Sequence, residues 1–199
     1  AHKGSFGHAL LFAGSLGKIG AAVLAGKAIL RSGAGLATVH LPKNGVSVLT
    51  AAMPELMTSI DESEESFSKL PELLKYNAIA IGPGLGIGKK TQTAFKMLIQ
   101  ESKVPLIIDA DALNILAMHP DLIQGIPKNS IITPHFKEFE RLVGTWQDDL
   151  ERIEKQIEFA EKHHVIVVFK GPNTTIVNPA GEVYFNTTGN PGMATGGSG

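Results

Sequence analysis

The sequence of 199 residues contains no cysteine. That excludes a disulfide framework and a cysteine nucleophile, and it suits a cytoplasmic location. Long apolar runs are missing too. Nothing approaches the ~18 residues of a membrane span, and no signal peptide opens the chain, so no membrane role is expected. Charge of one sign is also lacking. There are 18 Lys and Arg against 19 Asp and Glu, a net charge of -1, with no basic block. A surface that neutralises many phosphates of a nucleic acid is therefore not expected. Small phosphorylated ligands stay open, because backbone N–H groups bind them without net charge.

What the chain does have is a core and abundant glycine. Hydrophobic residues make up 43% and charged residues 19%, the balance of a chain that buries a core rather than a disordered one. The length suits one domain, or two. The 22 glycines exceed the usual share of roughly 7%, and they sit in punctuating clusters.

Short apolar runs alternate with helical patterns. His8–Ala13, Leu36–Leu41, Asn77–Ile81, Val104–Ile108, Ser130–Thr133 and Val165–Phe169 read as strands, and Thr174–Val177 with Val183–Phe185 as a hairpin. Ile19–Ser32, Asn44–Met53, Lys89–Glu101 and Gln147–Lys162 read as helices. Uninterrupted apolar strands between helices predict a mostly parallel sheet covered on both faces, with an antiparallel hairpin added. Val165–Phe169 is fully apolar and is expected to be central, buried on both faces. Glu62–Glu65 reads as a solvated loop or helix end.

In open α/β sheets, ligands bind beyond the carboxyl ends of the strands. Five strand ends here run directly into polar or Gly-rich residues: 13–15, 82–86, 109–111, 133–135 and 170–174. Their convergence on one rim predicts a site. Each has a duller reading. Gly82-Pro83-Gly84-Leu85-Gly86 is either a phosphate-cradling loop or a plain strand-to-helix turn, and it is neither a Walker A loop nor GxGxxG. Asp109 and Asp111 hold a metal or water network, or cap a helix. His135 after Pro134 is a ligand contact or a structural histidine, and Glu138 shares its face if a helix starts there. Lys170 meets a phosphate as a point charge, or is a surface lysine. The seven histidines show no metal-ligand spacing, and His163-His164 reads as compensation of a helix dipole. The closing stretch Asn190-Pro191-Gly192-Met193-Ala194-Thr195-Gly196-Gly197-Ser198-Gly199 is a flexible tail, or an anion-binding loop leading into a helix.

In combination, HKGSFGHAL, AGS, GAAVLAGKAILRSGAGL, GPGLG, DADALN, TPHFKEFERL, KGPNTTI and GNPGMATGGSG resemble the ADP/ATP-dependent NAD(P)H-hydrate dehydratases of the ribokinase-like superfamily. The resemblance covers nearly the whole chain as one domain, 1–199. It implies a three-layer α/β/α sandwich and repair of NADH or NADPH hydrated at the nicotinamide ring. The ring hydroxyl is phosphorylated by ADP or ATP with magnesium; phosphate then leaves, expelled by the ring nitrogen's lone pair. The resemblance places Ala21, Gly84 and His135 in the hydrated-cofactor pocket. It places Lys170, Gly171, Pro172, Asn173 and Thr174 at the adenine nucleotide, with Gly199 beside its phosphates. Glu138 matches the glutamate tied to magnesium and phosphate in ribokinase-like enzymes, and His135 stands where the sugar kinases have Asn.

The family's catalytic base, an Asp, follows Gly-Gly-Ser-Gly. This sequence ends at Gly199, so no catalytic residue is expected within it, the C-terminal helices are expected to be missing, and the fragment is expected to be inactive alone. A homo-oligomer is expected, and some relatives carry an N-terminal epimerase domain. Two other readings compete: a ribokinase-like small-molecule kinase, which His135 and the HKGSFG start argue against, and a non-catalytic nucleotide-binding module.

Overall fold

The computed structural model describes residues 6–193 and 195–197. The chain runs β1 (His8–Phe12), α1 (Ile19–Arg31), β2 (Leu36–Leu41), α2 (Val46–Ala52), β3 (Met57–Ile60), β4 (Ala78–Ile81), α3 (Lys89–Glu101), β5 (Leu106–Ile108), α4 (Asp111–Met118), β6 (Ile131–Ile132), α5 (Phe136–Val143), α6 (Asp149–His163), β7 (Ile166–Phe169), β8 (Thr174–Val177) and β9 (Val183–Asn186). Short 3-10 turns precede α2 and follow α4 and β9. The strands form one sheet in the order β3-β2-β1-β4-β5-β6-β7-β8-β9. β3 through β7 are parallel, while β8 and β9 pair antiparallel. No described helix is long and apolar enough to cross a membrane.

Alternation along the strands sorts the core into two layers. On β1, Leu10 and Phe12 face one way, packing with Ile81, Ile108, Val167 and the inner faces of α3, α4, α5 and α6. Leu11 and Ala13 face the other way, packing with Val39, Leu41, Ala22 of α1 and Leu49 of α2. The result is helix, sheet, helix, as expected. The second helical layer covers only the β2-β1-β4 side. The predicted double burial of Val165–Phe169 is therefore corrected. β7 lies between β6 and β8, third from the β9 edge rather than central. Val167 is buried, but Ile166 and Val168 are half-covered, because no described helix packs on that side. For the same reason Ile107 is 38% exposed.

The sequence does not mark β3, an edge strand whose Thr58 and Ser59 are half-buried and whose Met57 and Ile60 are exposed. Beyond it, the acidic stretch is a solvated bend anchored by one buried residue, Asp61. The Asp61 carboxylate accepts from the backbone N–H of Ser63, Ser68 and Lys69, from the Ser68 hydroxyl, and from His40 on β2 at 3.0 Å. His40 Nδ1 meets Ser59 at 2.9 Å, and its ring packs on Phe12 and Phe67. Burial holds the His40 pKa below its ordinary value despite the neighbouring carboxylate. For Asp61, burial pushes upward, but the hydrogen bonds from Ser68, Ser63 and Lys69 outweigh it and lower the pKa. His163 lies in the last turn of α6, packs on Phe159, and has its pKa lowered by burial and then by Lys162 and His164.

His40 thus folds in its neutral form. The unfolded chain protonates first as pH falls through the ordinary value of 6.5, so stability is full above that pH and declines below it. Asp61 adds a loss only at lower pH, below its ordinary 3.8. The denaturation midpoint is expected to fall between pH 7 and pH 5, and to fall less in His40→Gln. Asp61→Ala should cost roughly 2–4 kcal/mol, since each orphaned buried donor costs about 1–3 kcal/mol. A pH-independent midpoint would contradict this account.

Candidate active site

The strand order reverses at β1. β2 and β3 build outward on one side, and β4 returns to the other. Such a switch opens a crevice at the carboxyl ends of the two diverging strands. Here those ends are Ala13-Gly14-Ser15 and Gly82-Pro83-Gly84. Backbone bonds stitch the rim at one level past the strands: Gly82 N–H to Phe12 O, Asp109 N–H to Ile81 O, Thr133 N–H to Ile108 O, and Lys170 N–H to Pro134 O.

One half of the rim is walled by very small residues. Gly84 has φ +63, and a Cβ there would lie 2.8 Å from the Lys18 carbonyl and 2.9 Å from the Ala21 Cβ. Ala21 and Gly84, far apart in sequence, therefore pack directly on each other and form one wall of the crevice. The buried Ser15 hydroxyl donates to the Gly84 carbonyl at 2.8 Å and fixes this wall. Asp111 closes the crevice from the β5 side. Its Oδ2 accepts from the Gly86 N–H at 2.8 Å and lies 3.4 Å from Lys18 Nζ. The sequence marks Ser15 only as part of the 13–15 strand end, and it gives Lys18 no role. The signal available was their place between a strand end and a helix rich in small residues.

The other half holds charge. Lys170 Nζ pairs with Asp109 Oδ1 at 2.6 Å, both side chains about a quarter exposed, at 28% and 26%. His135 and Lys170 form a parallel β-bridge beyond their strands. His135 caps α5: its Nδ1 accepts from the Lys137 and Glu138 N–H groups, while Glu138 Oε2 accepts from the His135 N–H at 2.9 Å. This fixes the ring with Nδ1 as acceptor and leaves its side chain 51% exposed at the rim. Glu138 is buried beneath it. Gly171, Pro172 and Asn173 form an exposed loop, and Thr174 opens β8.

The last described residues cross both halves. A Cβ on Gly189 would lie 2.5 Å from the Pro172 carbonyl, and one on Gly197 3.0 Å from Leu24 of α1, one turn beyond Ala21. Gly199 lies outside the described residues. Neither Asp109 nor Asp111 serves as a helix cap. The residue before α4 is Ala110, with φ 49 and ψ -123 and no side-chain cap. Such a conformation costs an L-residue roughly 1–3 kcal/mol.

Two substitutions test this geometry. Ala110→Gly removes the strain but adds about 0.4–1 kcal/mol of unfolded-state entropy, so stability should rise by about 1 kcal/mol in urea titration. Gly82→Ala places a Cβ 1.7 Å from the Asp109 carbonyl and should cost more than about 4 kcal/mol. An Ala110→Gly protein less stable than the parent would contradict the strain assignment.

Comparisons with known proteins show the family and the fold. A family model described as NAD(P)H-hydrate dehydratase matches residues 9–199. A bifunctional NAD(P)H-hydrate repair enzyme from Moorella thermoacetica is 39% identical over the whole chain, which spans 39% of that relative's length. Among solved structures, a ribokinase-like superfamily protein from Enterococcus faecalis superposes with a TM-score of 0.84 at 31% identity, covering 99% of this chain and 68% of the other. The ADP/ATP-dependent NAD(P)H-hydrate dehydratase from Bacillus subtilis, co-crystallised with ATP and Mg2+, superposes with a TM-score of 0.81 at 34% identity, covering 99% and 69%. The chain, with its ribokinase-like sheet, belongs to the NAD(P)H-hydrate dehydratase family.

Proposed function

We propose that this protein is an ADP- or ATP-dependent lyase that returns hydrated NADH and NADPH to the working cofactors. The observation that carries the proposal is the pairing of two unlike half-sites on one rim: the Ala21–Gly84 crevice and the Lys170–Asp109 pair below an exposed loop. A partly saturated ring fits against a wall of backbone and small side chains, which Ala21 and Gly84 form by packing on each other. A polyphosphate fits beside a lysine and an exposed turn. Transfer between the two ligands needs them held side by side, which is worth several kcal/mol of barrier in itself.

In this reading, Ala21, Gly84 and His135 line the pocket of the hydrated ring. Lys170 holds the nucleotide's phosphates, and Gly171, Pro172, Asn173 and Thr174 carry its adenosine end, with Gly199 beside the phosphates. Once the ring hydroxyl is phosphorylated, phosphate is the better leaving group, and the ring nitrogen's lone pair expels it. No described residue is assigned the proton of that hydroxyl.

Magnesium fits as an ion carried on the phosphates. Among the described residues no three metal-capable side chains converge, and such ions keep waters and phosphate oxygens with one or two carboxylates. Glu138 would be that carboxylate: its Oε2 accepts the His135 N–H and its Oε1 lies 3.5 Å from His135 Nε2, which still leaves part of its roughly four acceptor sites. The ion would supply neutralisation of phosphate charge.

The direct experiment is phosphate release from the intact protein given hydrated NADH and each adenine nucleotide. Release and recovery of NADH absorbance are expected only with both ligands present; recovery without nucleotide would contradict the proposal. Lys170→Ala should weaken nucleotide binding about tenfold to a hundredfold, since a charge-assisted contact is worth roughly 1.5–3 kcal/mol. Hydrate binding without nucleotide should hardly change. Calorimetric titration of both ligands, alongside melting curves, checks this, and an unaltered nucleotide affinity would show the half-site to be misplaced.

A further inference from the structure

The tripeptide Asp109-Ala110-Asp111 sends two carboxylates to different halves of the rim. The left-handed Ala110 turns the chain between them. Asp109 meets Lys170 on the phosphate side, and Asp111 meets Gly86 and Lys18 on the crevice side. Asp111 is the first residue of α4, yet its side chain caps nothing there. Both of its hydrogen-bond contacts fall on Oδ2, and its side chain is 20% exposed. Oδ1 is therefore an acceptor with capacity to spare, on a group held against the wall that contains Gly84. Two neighbouring polar groups are already engaged, the Ser15 hydroxyl on the Gly84 carbonyl and the Gly86 N–H on Asp111 itself, while Lys18 Nζ offers donors but no acceptor.

We infer that Asp111 is a specificity-determining contact for the ligand of the Ala21–Gly84 crevice: its free oxygen accepts a hydrogen bond from an amide N–H of that ligand. The inference rests on the hydrated-nicotinamide reading above. The only amide on that ring is its carboxamide. A carboxylate at Asp111 accepts from an amide but cannot accept from a nicotinate carboxylate; the Lys18 ammonium 3.4 Å away offsets charge repulsion, so the unmade hydrogen bond is what favours the nicotinamide form. Sites built around a buried polar contact discriminate strongly against a ligand that cannot satisfy it. Lys18, with its side chain 56% exposed, reaches the same oxygen that Gly86 uses and leaves Oδ1 free.

The test is calorimetric titration of the protein, Asp111→Asn and Asp111→Ala with three ligands: hydrated NADH, its nicotinate counterpart and an adenine nucleotide. Melting curves accompany each. Asp111→Asn can still accept from the Gly86 N–H through its amide oxygen, but it then presents N–H2 to the crevice. It is expected to melt like the parent, to bind hydrated NADH about tenfold to a hundredfold more weakly, to narrow the preference for amide over acid, and to bind nucleotide unchanged. If Asp111 only cross-links the loops, Asp111→Asn binds hydrated NADH like the parent. Asp111→Ala would then lose both ligands together with melting temperature. Either result overturns the contact. A parent protein that binds no hydrated NADH overturns the functional reading and this inference together. A parent that binds it while Asp111→Asn keeps full affinity overturns this inference alone.

Discussion

The site depends on one close approach of backbone to backbone. Gly82, at the end of β4, lies against the carbonyl of Asp109 so tightly that a Cβ would come within 1.7 Å of it. Only a glycine lets β4 and β5 release their following loops at the same height. The rim follows from that. Asp109 is lifted level with Lys170, Asp111 is brought over Gly86, and the crevice at the strand-order switch gains its third wall. The strain at Ala110 is the local cost of turning the chain between the two carboxylates, and the surrounding sheet over-determines it.

The polar groups of the chain divide by how completely they are used. Arg152 is buried, bonded to Gln156 and Thr175, and stacked on Phe169, while Gln156 donates to the Val167 and Thr175 carbonyls. That network fastens α6 to β7 and β8. His40 and Asp61 fasten the acidic bend to β2, and from there the Glu65 carbonyl holds the Leu16 N–H at the mouth of the crevice. Both networks are sealed from solvent and have few sites left to offer, as stable buried polar groups require. Lys170, Asp109, Asp111 and His135 are different. Each is held at one end by a bond and stays partly open at the other. Groups oriented but unsaturated are what a ligand needs.

Much of this is legible in the sequence. Leu36–Leu41, Lys89–Glu101 and Thr174–Val177 read off the apolar pattern with the bounds the structure has, because each carries a clean period. The rim was legible as well, since polar residues after apolar strands mark carboxyl ends. β3 was not legible: Met57–Ile60 mixes polar and half-exposed residues on an edge. α4 was missed because Ala110 precedes it without a capping side chain or a glycine to signal the left-handed turn. The partnerships were least legible of all. Ser15 with Gly84 and Lys18 with Asp111 join residues 69 and 93 positions apart, and no local pattern carries that information.

The central claim is that two ligands lie side by side on this rim, nucleotide against residues 170–174 and hydrated ring against the wall that Ala21 and Gly84 share. A crystal structure of the protein with adenine nucleotide and hydrated NADH both bound tests it most directly. The account requires phosphate density at Lys170 and ring density against the Gly84 backbone, with the two in contact. Nucleotide bound away from residues 170–174, or a ring lodged elsewhere than this crevice, would contradict it.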